Sequence, residues 1–358
     1  MSKPKVLVFA VADPTGASHK KLEAAGYEVV IGNPAWMIPG SSREDEVRDV
    51  ARDVVAMCGT SMRSNPLSKR VMEAAQRLRI VAKYTVGVDD VDVDGATDLG
   101  ILVTHSPTEA NCFGVAETTM ALMLGKLKDV RERDRWVREG RWRDNSMLNT
   151  YLGKRESDGY RGITVGIVGM GRIGGRLAEL LAPWRLGRLI GYDPYVEDER
   201  FIRQGVTRVH DLKTLLNESD VVTLHCNLTK ETRHMLNADA LKQMKQSAIL
   251  INCARGRVMD EIAVAQAIAD GTIAGACIDA FADEPLAADS PLRKLGDKVL
   301  LSPHAASFTV GGGLGPGIEW ATRSIITALD GGVPDNVYNK EAIDRWQGRF
   351  GGAKVLAA

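Results

Sequence analysis

The chain is 358 residues long, a length at which a single hydrophobic core commonly gives way to two domains. Its 46 Lys and Arg balance 46 Asp and Glu, so no net charge favours nucleic acid or an anionic membrane surface. Five widely spaced cysteines without a CxxC pair argue against a disulfide framework or a structural zinc site, and no run reaches the ~18 apolar residues of a membrane span.

The expected elements follow in chain order. The opening MSKPKVLVFAVADPTG holds an apolar run of seven residues and no small-residue cleavage site. It reads as a strand, Val6–Val11, and the protein is expected to be cytoplasmic. Lys20–Ala25 reads as a short helix stopped by Gly26, with strands at Tyr27–Ile31 and Val54–Met57. An amphipathic helix is expected over Leu67–Leu78 after Pro66, then strands at Ile80–Lys83 and Ile101–Val103. Such alternation implies a parallel sheet covered by helices on both faces.

A helix from Asn111 to Gly125, with Asn111 as N-cap, leads into a charged helix over Lys126–Glu139 and a polar connection, Arg141–Arg161. The alternation then restarts. Strands are expected at Ile163–Val168, Leu189–Tyr192, Val221–His225, Ala248–Asn252, Gly275–Asp279 and Val299–Leu301. Helices are expected at Arg172–Leu181, Leu212–Asn217, Ala238–Met244 and Glu261–Asp270. A glycine run (Gly311, Gly312, Gly313, Gly315, Gly317) precedes a helix over Ile318–Leu329, and the tail from Asn336 shows no strong pattern.

Gly169-Met170-Gly171-Arg172-Ile173-Gly174 is a GxGxxG between a strand and a helix, with Asp193 about 20 residues on at the end of the next strand. Gly169 permits the tight turn, Gly171 lets backbone approach a pyrophosphate, and Gly174 lets helix and sheet pack closely. The helix N-terminus offers N–H groups to the anion, beside which Arg172 can make a charge-assisted contact. Asp193 would accept from the adenosine ribose hydroxyls and repel a 2′-phosphate. Pro194 and Tyr195 follow it with no Arg beside it, so NAD is expected rather than NADP.

Three further residues fall at ends of expected strands, where open α/β sheets hold their ligands. Arg255 stands in INCARGRVMDE, Glu284 in DAFADEP and His304 in the PH pair. Any one of them alone reads as an ordinary turn or surface residue; their joint occurrence with VGIVGMGRIG and SDVVTLHCNLTKET carries the weight. With these five ordered motifs the chain, to about Asn336, resembles the D-isomer-specific 2-hydroxyacid dehydrogenases.

The resemblance implies an NAD-dependent enzyme that transfers hydride between the nicotinamide and a D-2-hydroxy acid or 2-keto acid. His304 would be general acid and base, Glu284 would stabilise its imidazolium, and Arg255 would orient the substrate and stabilise the developing oxyanion. It further implies that His225 lines the cofactor cleft, that Asp279 holds the nicotinamide carboxamide, and that Cys253 and Ala254 pass their backbone near the ring. Val86 and Gly87 would bind the substrate carboxylate, with Asn111 near the cleft. Arg63 is a candidate for a distal anionic group.

The implied fold is α/β, with two doubly wound parallel-sheet domains. A flavodoxin-like substrate domain would comprise residues 1–107 and 309–336, a Rossmann NAD domain 108–308, and a tail 337–358. A homodimer is expected, and no metal. Asn227 stands where the family has Pro, and Ala305-Ala306 where Ile-Gly is common after the histidine. Two other readings share these motifs: an NADH-sensing regulatory protein, and a dehydrogenase of a small donor such as phosphite or formate. The family's formate enzymes carry Gln where Glu284 stands, which argues against formate.

Overall fold

The computed structural model describes residues 3–10, 13–38, 40–310 and 313–356. The end of the first expected strand, Val11, and two of the expected glycines, Gly311 and Gly312, lie outside the described residues. The chain forms two compact units, Met1–Asn111 with Val310–Ala358, and Cys112–Thr309.

The first unit runs β1 (Lys5–Ala10), α1 (Ala17–Ala24), β2 (Glu28–Ile31), α2 (Glu44–Ala51), β3 (Val54–Gly59), α3 (Lys69–Ala74), β4 (Ile80–Lys83), α4 (Val93–Asp98) and β5 (Leu102–Thr104). The helix α5 (Glu109–Leu127) carries the chain into the second unit, followed by α6 (Val130–Arg138), β6 (Thr164–Val168), α7 (Arg172–Leu181) and β7 (Arg188–Tyr192). Then come α8 (Asp198–Arg203), β8 (Thr207–Arg208), α9 (Leu212–Glu218), β9 (Val221–Leu224), α10 (Ala238–Leu241), β10 (Ile249–Asn252), α11 (Glu261–Ala269), β11 (Gly275–Ile278) and β12 (Val299–Leu301). Two helices belong again to the first unit, α12 (Gly315–Leu329) and α13 (Ile343–Phe350).

Both sheets are parallel throughout. The first has the order β2-β1-β3-β4-β5, the second β12-β11-β10-β9-β6-β7-β8. The first order is that of flavodoxin-like sheets; the second is that of dinucleotide-binding sheets with one strand added, its order reversing between β6 and β9. Strands covered on both faces must be apolar on both. Thus β3 (VVAMCG) and β11 (GACI) are buried at every residue. Within β1, Leu7 and Phe9 pack into one cluster while Val6 and Val8 pack into another. The same division occurs in the second unit, where Val222 and Leu224 face one side and Val221, Ile249 and Ile251 the other.

Several boundaries differ from expectation for physical reasons. The helix expected to start at Asn111 starts at Glu109, because the Thr108 hydroxyl accepts the Asn111 N–H at 3.4 Å; Asn111 lies inside the first turn and is not the cap. The helix expected from Leu67 begins at Lys69, after Ser68, whose hydroxyl caps the Val71 N–H. The helix expected from Ile318 begins at Gly315, and at Gly317 a Cβ would lie 2.0 Å from the Tyr84 carbonyl oxygen. The segment after Asn336 is not patternless in space. Tyr338 N–H donates to Val103 O at 2.7 Å, and the Asn339 side chain bridges Val103 N and Ile101 O, sealing the edge of β5. Trp346 of α13 is fully buried and donates its Nε1–H to Arg79 O at 3.0 Å. No helix among the described residues is long and apolar enough to cross a membrane.

Candidate active site

The glycine turn joins β6 to α7. Gly169 has φ +95°, and a Cβ there would lie 2.7 Å from the backbone of His225 and Cys226. A Cβ on Gly174 would lie 2.0 Å from Gly169 O, whereas one on Gly171 would meet nothing within 4 Å. Glycine is therefore demanded by the protein at 169 and 174, and at 171 by whatever occupies the space beyond. No side chain caps α7 at Gly171, so its first turn, with Arg172 and Ile173, presents backbone N–H groups there. This cradle fits a pyrophosphate.

Asp193 follows β7 and is tied to the turn, accepting from Met170 N–H at 2.9 Å and from Tyr195 N–H at 3.0 Å. No Arg follows Asp193 in the chain, and the fold brings two arginines to this corner from further along it. Arg208 donates to the Asp193 carbonyl at 3.0 Å, and Arg200 donates to Met170 O at 2.6 Å and Gly171 O at 2.8 Å. Arg208, from β8, reaches Asp193 itself, whereas Arg200, from α8, reaches the glycine turn that Asp193 also holds. His225, after β9, has its backbone N–H on Val168 O and its Nε2 2.9 Å from the Thr223 hydroxyl. Its Nδ1 is buried with no partner among the described residues, and burial pushes the imidazole down to about 3, so the ring is neutral at working pH.

At the end of β10 a residue that the sequence reading passed over shapes the next turn. The buried Asn252 accepts from Ala254 N–H through Oδ1 and donates from Nδ2 to Arg255 O, each at 3.0 Å. The only signal for it was its place ahead of the Arg in INCARG. Arg255 follows in extended backbone, with Nη1 donating to Ala254 O at 2.8 Å. Cys253 and Ala254 are both buried, and burial raises the Cys253 thiol to about 12, which leaves it a packing group.

At Gly256 a Cβ would come within 1.8 Å of the Phe281 backbone, so the Arg255 turn lies directly against the loop after β11. That loop is held from several sides. Phe281 N–H donates to Glu284 Oε1 at 3.0 Å, Ala282 N–H donates to the Glu261 carboxylate, and Arg257 donates to Ala282 O and Asp283. Glu261 and Arg257 were also passed over, since neither differs in type from a surface residue.

Glu284 and His304 meet directly. His304 Nδ1 lies 2.8 and 2.9 Å from the two Glu284 oxygens, with side-chain exposures of 32% and 16%. His304 stands after β12 with φ +52°, and Asp279, 1% exposed at the end of β11, accepts from Ala305 and Ala306 N–H. Arg255, Glu284 and His304 thus follow three neighbouring strands, β10, β11 and β12, at one edge of the sheet.

In the first unit, the loop after β4 carries Val86 and Gly87. Its root is Lys83, fully buried with Nζ 2.6 Å from both Asp90 oxygens. Asp90 also accepts from Met62 N–H at 2.9 Å, so this pair ties the Val86–Gly87 loop to the loop after β3, where part-buried Arg63 lies. Asn111 sits in the first turn of α5.

Residues 120–306 match the family described as D-isomer specific 2-hydroxyacid dehydrogenase, NAD binding domain. Over 348 residues, 96% of each chain, the sequence is 36% identical to a glyoxylate reductase from Thermofilum pendens. The chain belongs to the D-isomer specific 2-hydroxyacid dehydrogenases. This dehydrogenase is also similar to a glyoxylate reductase from Korarchaeum cryptofilum, 41% identical over 79% of this chain and 82% of the other. Its fold matches that of a Thermus thermophilus protein with a TM-score of 0.78 at 29% identity, over 93% of this chain and 99% of the other. The cofactor of this oxidoreductase is NAD(H), for which the open, uncapped cradle at Gly171 is suited.

Proposed function

We propose that this dehydrogenase reduces a small, unbranched 2-keto acid of the glyoxylate and hydroxypyruvate class, and oxidises the matching D-2-hydroxy acid in reverse. The observation that carries the reading is the direct pairing of His304 Nδ1 with the Glu284 carboxylate. A carboxylate on Nδ1 fixes the tautomer, so the proton exchanged with the substrate oxygen is the one on Nε2. Glu284 balances the imidazolium that forms when His304 takes a proton from a hydroxy acid.

Arg255 supplies a planar, permanently charged fork that orients the substrate carboxylate and stabilises negative charge on the carbonyl oxygen. When bound, NADH supplies the hydride. Gly169, Gly171, Arg172, Ile173 and Gly174 would cradle its pyrophosphate, Asp193 its ribose, and His225, Cys253, Ala254 and Asp279 would border the rest. Asp193 favours NADH over NADPH by repulsion of a 2′-phosphate. Val86 and Gly87 would present backbone N–H groups to the substrate carboxylate.

The glyoxylate-class assignment is supported by the two named relatives. Initial rates with glyoxylate, hydroxypyruvate, pyruvate and a phosphorylated keto acid, each with NADH and NADPH, test it. Highest kcat/KM for glyoxylate or hydroxypyruvate with NADH is expected; turnover confined to the phosphorylated acid would overturn the substrate class and bring Arg63 forward. Rates no faster than those of His304→Ala would favour an NADH-sensing role, and formate or phosphite as hydride donors would displace the keto-acid reading altogether.

A homodimer formed through the second unit belongs to the same proposal. Val137, Trp142 and Leu148 are 58%, 74% and 85% exposed along one segment, which suits cover by a second copy. Light scattering at micromolar concentration should give twice the chain mass.

A further inference from the structure

Asp279 is almost wholly buried, and a buried carboxylate must be compensated by donors. Its donors are two successive backbone N–H groups, Ala305 at 2.9 Å on Oδ1 and Ala306 at 3.2 Å on Oδ2. They belong to the two residues immediately after His304. His304 itself is held at φ +52°, a left-handed conformation that non-glycine residues rarely adopt and that persists only where surroundings impose it.

Upstream, the turn is anchored by Ser302 N–H on Ile278 O and by His304 N–H on Ser302 O. Downstream, Ala306 O accepts from the Thr118 hydroxyl at 3.0 Å. Between these anchors, the Asp279 carboxylate grips the peptide groups that follow the strained residue. Without it, two N–H groups lose a charged acceptor and His304 can relax toward ordinary φ, turning its ring away from Glu284.

We propose that Asp279 is a positioning residue for His304, acting through the backbone of Ala305 and Ala306 rather than only on the cofactor carboxamide. This inference rests on the His304–Glu284 reading of the active site. Asp279→Asn is the sharper variant, because an amide that accepts from one N–H must turn its NH2 toward the other. Asp279→Ala removes both acceptors.

The test compares wild type, Asp279→Asn and Asp279→Ala, each with and without His304→Ala, using glyoxylate and either NADH or its acetylpyridine analogue. The analogue carries a methyl where the carboxamide has NH2 and cannot donate to a carboxylate. Expected is a kcat loss of about a hundredfold for Asp279→Ala, equal with both cofactors and abolished in the His304→Ala background. The NADH dissociation constant should change far less than kcat.

A loss confined to NADH would overturn the proposal and leave Asp279 a carboxamide ligand. A loss equally large without His304 would also overturn it and mark a general structural defect. Should Asp279→Ala not fold, Asp279→Asn reads the same cycle. A wild type inactive on every 2-keto acid would instead sink the underlying functional reading.

Discussion

At the scale of single residues, the environment of each polar group decides its part. His225 has a ring held neutral by burial, down to about 3 from an ordinary 6.5. Between those values the unfolded chain binds a proton that the folded one does not, so stability must fall as pH drops through that window. The slope reaches about 1.4 kcal/mol per pH unit and should be lost in His225→Asn; urea midpoints between pH 7 and pH 4 check it. A wild-type curve as flat as the variant's would refute the assignment.

Asp193 has Arg208 on its own carbonyl, and the glycine turn that it holds has Arg200 on its backbone. Asp193→Ala should therefore shift the NADPH-to-NADH ratio of kcat/KM by about tenfold or more, since the repulsion leaves and the arginines remain. An unchanged ratio would show that Asp193 does not face the 2′ position. These arginines also mark a boundary of sequence reading. The acid after β7 was legible from its spacing, but its neighbours come from α8 and β8, and only the fold brings them there. Asp279 illustrates the same limit. Its partners are backbone N–H groups, which nearly every residue has and no motif can announce.

At the scale of elements, strands were legible wherever both faces are buried, because coverage on two sides forces near-continuous Val, Ile, Leu and Ala runs such as ILIN and VVTL. The helices that escaped notice are short and charged. EDEVRDVA buries two residues, Val47 and Ala51, and IDRWQGRF buries one, Trp346, so their apolar signal is thin. The glycine turn was legible because three separate constraints fix three positions, and these constraints can be separated experimentally. Gly171→Ala places its Cβ in open space, so the fold should hold while NADH affinity drops by about tenfold or more. Gly174→Ala drives a Cβ against Gly169 O and should lower the melting temperature as well. Paired melting and NADH titration of the two variants check this. Equal effects from both would contradict the geometry.

At the scale of the whole molecule, the chain leaves its first sheet at α5 and returns to it through α12 and α13. The return is structural and not ornamental. α12 packs Ile318, Ala321 and Ile325 into the cluster that holds Val6 and Val8, and Trp346 of α13 joins them. Trp346→Ala should cost about 3–5 kcal/mol of unfolding free energy, read from urea denaturation of the full chain; a loss below about 1 kcal/mol would show that α13 is not part of the first unit's core.

The two sheets serve different ends. The first carries, at the ends of β3 and β4, loops bound together by the Lys83–Asp90 pair. The second carries the His304–Glu284 pair and the glycine turn at the ends of its own strands. In the proposed reaction His304, paired through Nδ1 with Glu284, delivers the proton that accompanies hydride transfer to a 2-keto acid. The measurement closest to it is kcat/KM for glyoxylate with NADH, wild type against His304→Gln, with NADH binding checked in parallel. A loss of about a hundred- to ten-thousandfold with NADH affinity intact is the predicted result; rates within a factor of about two of wild type would contradict it.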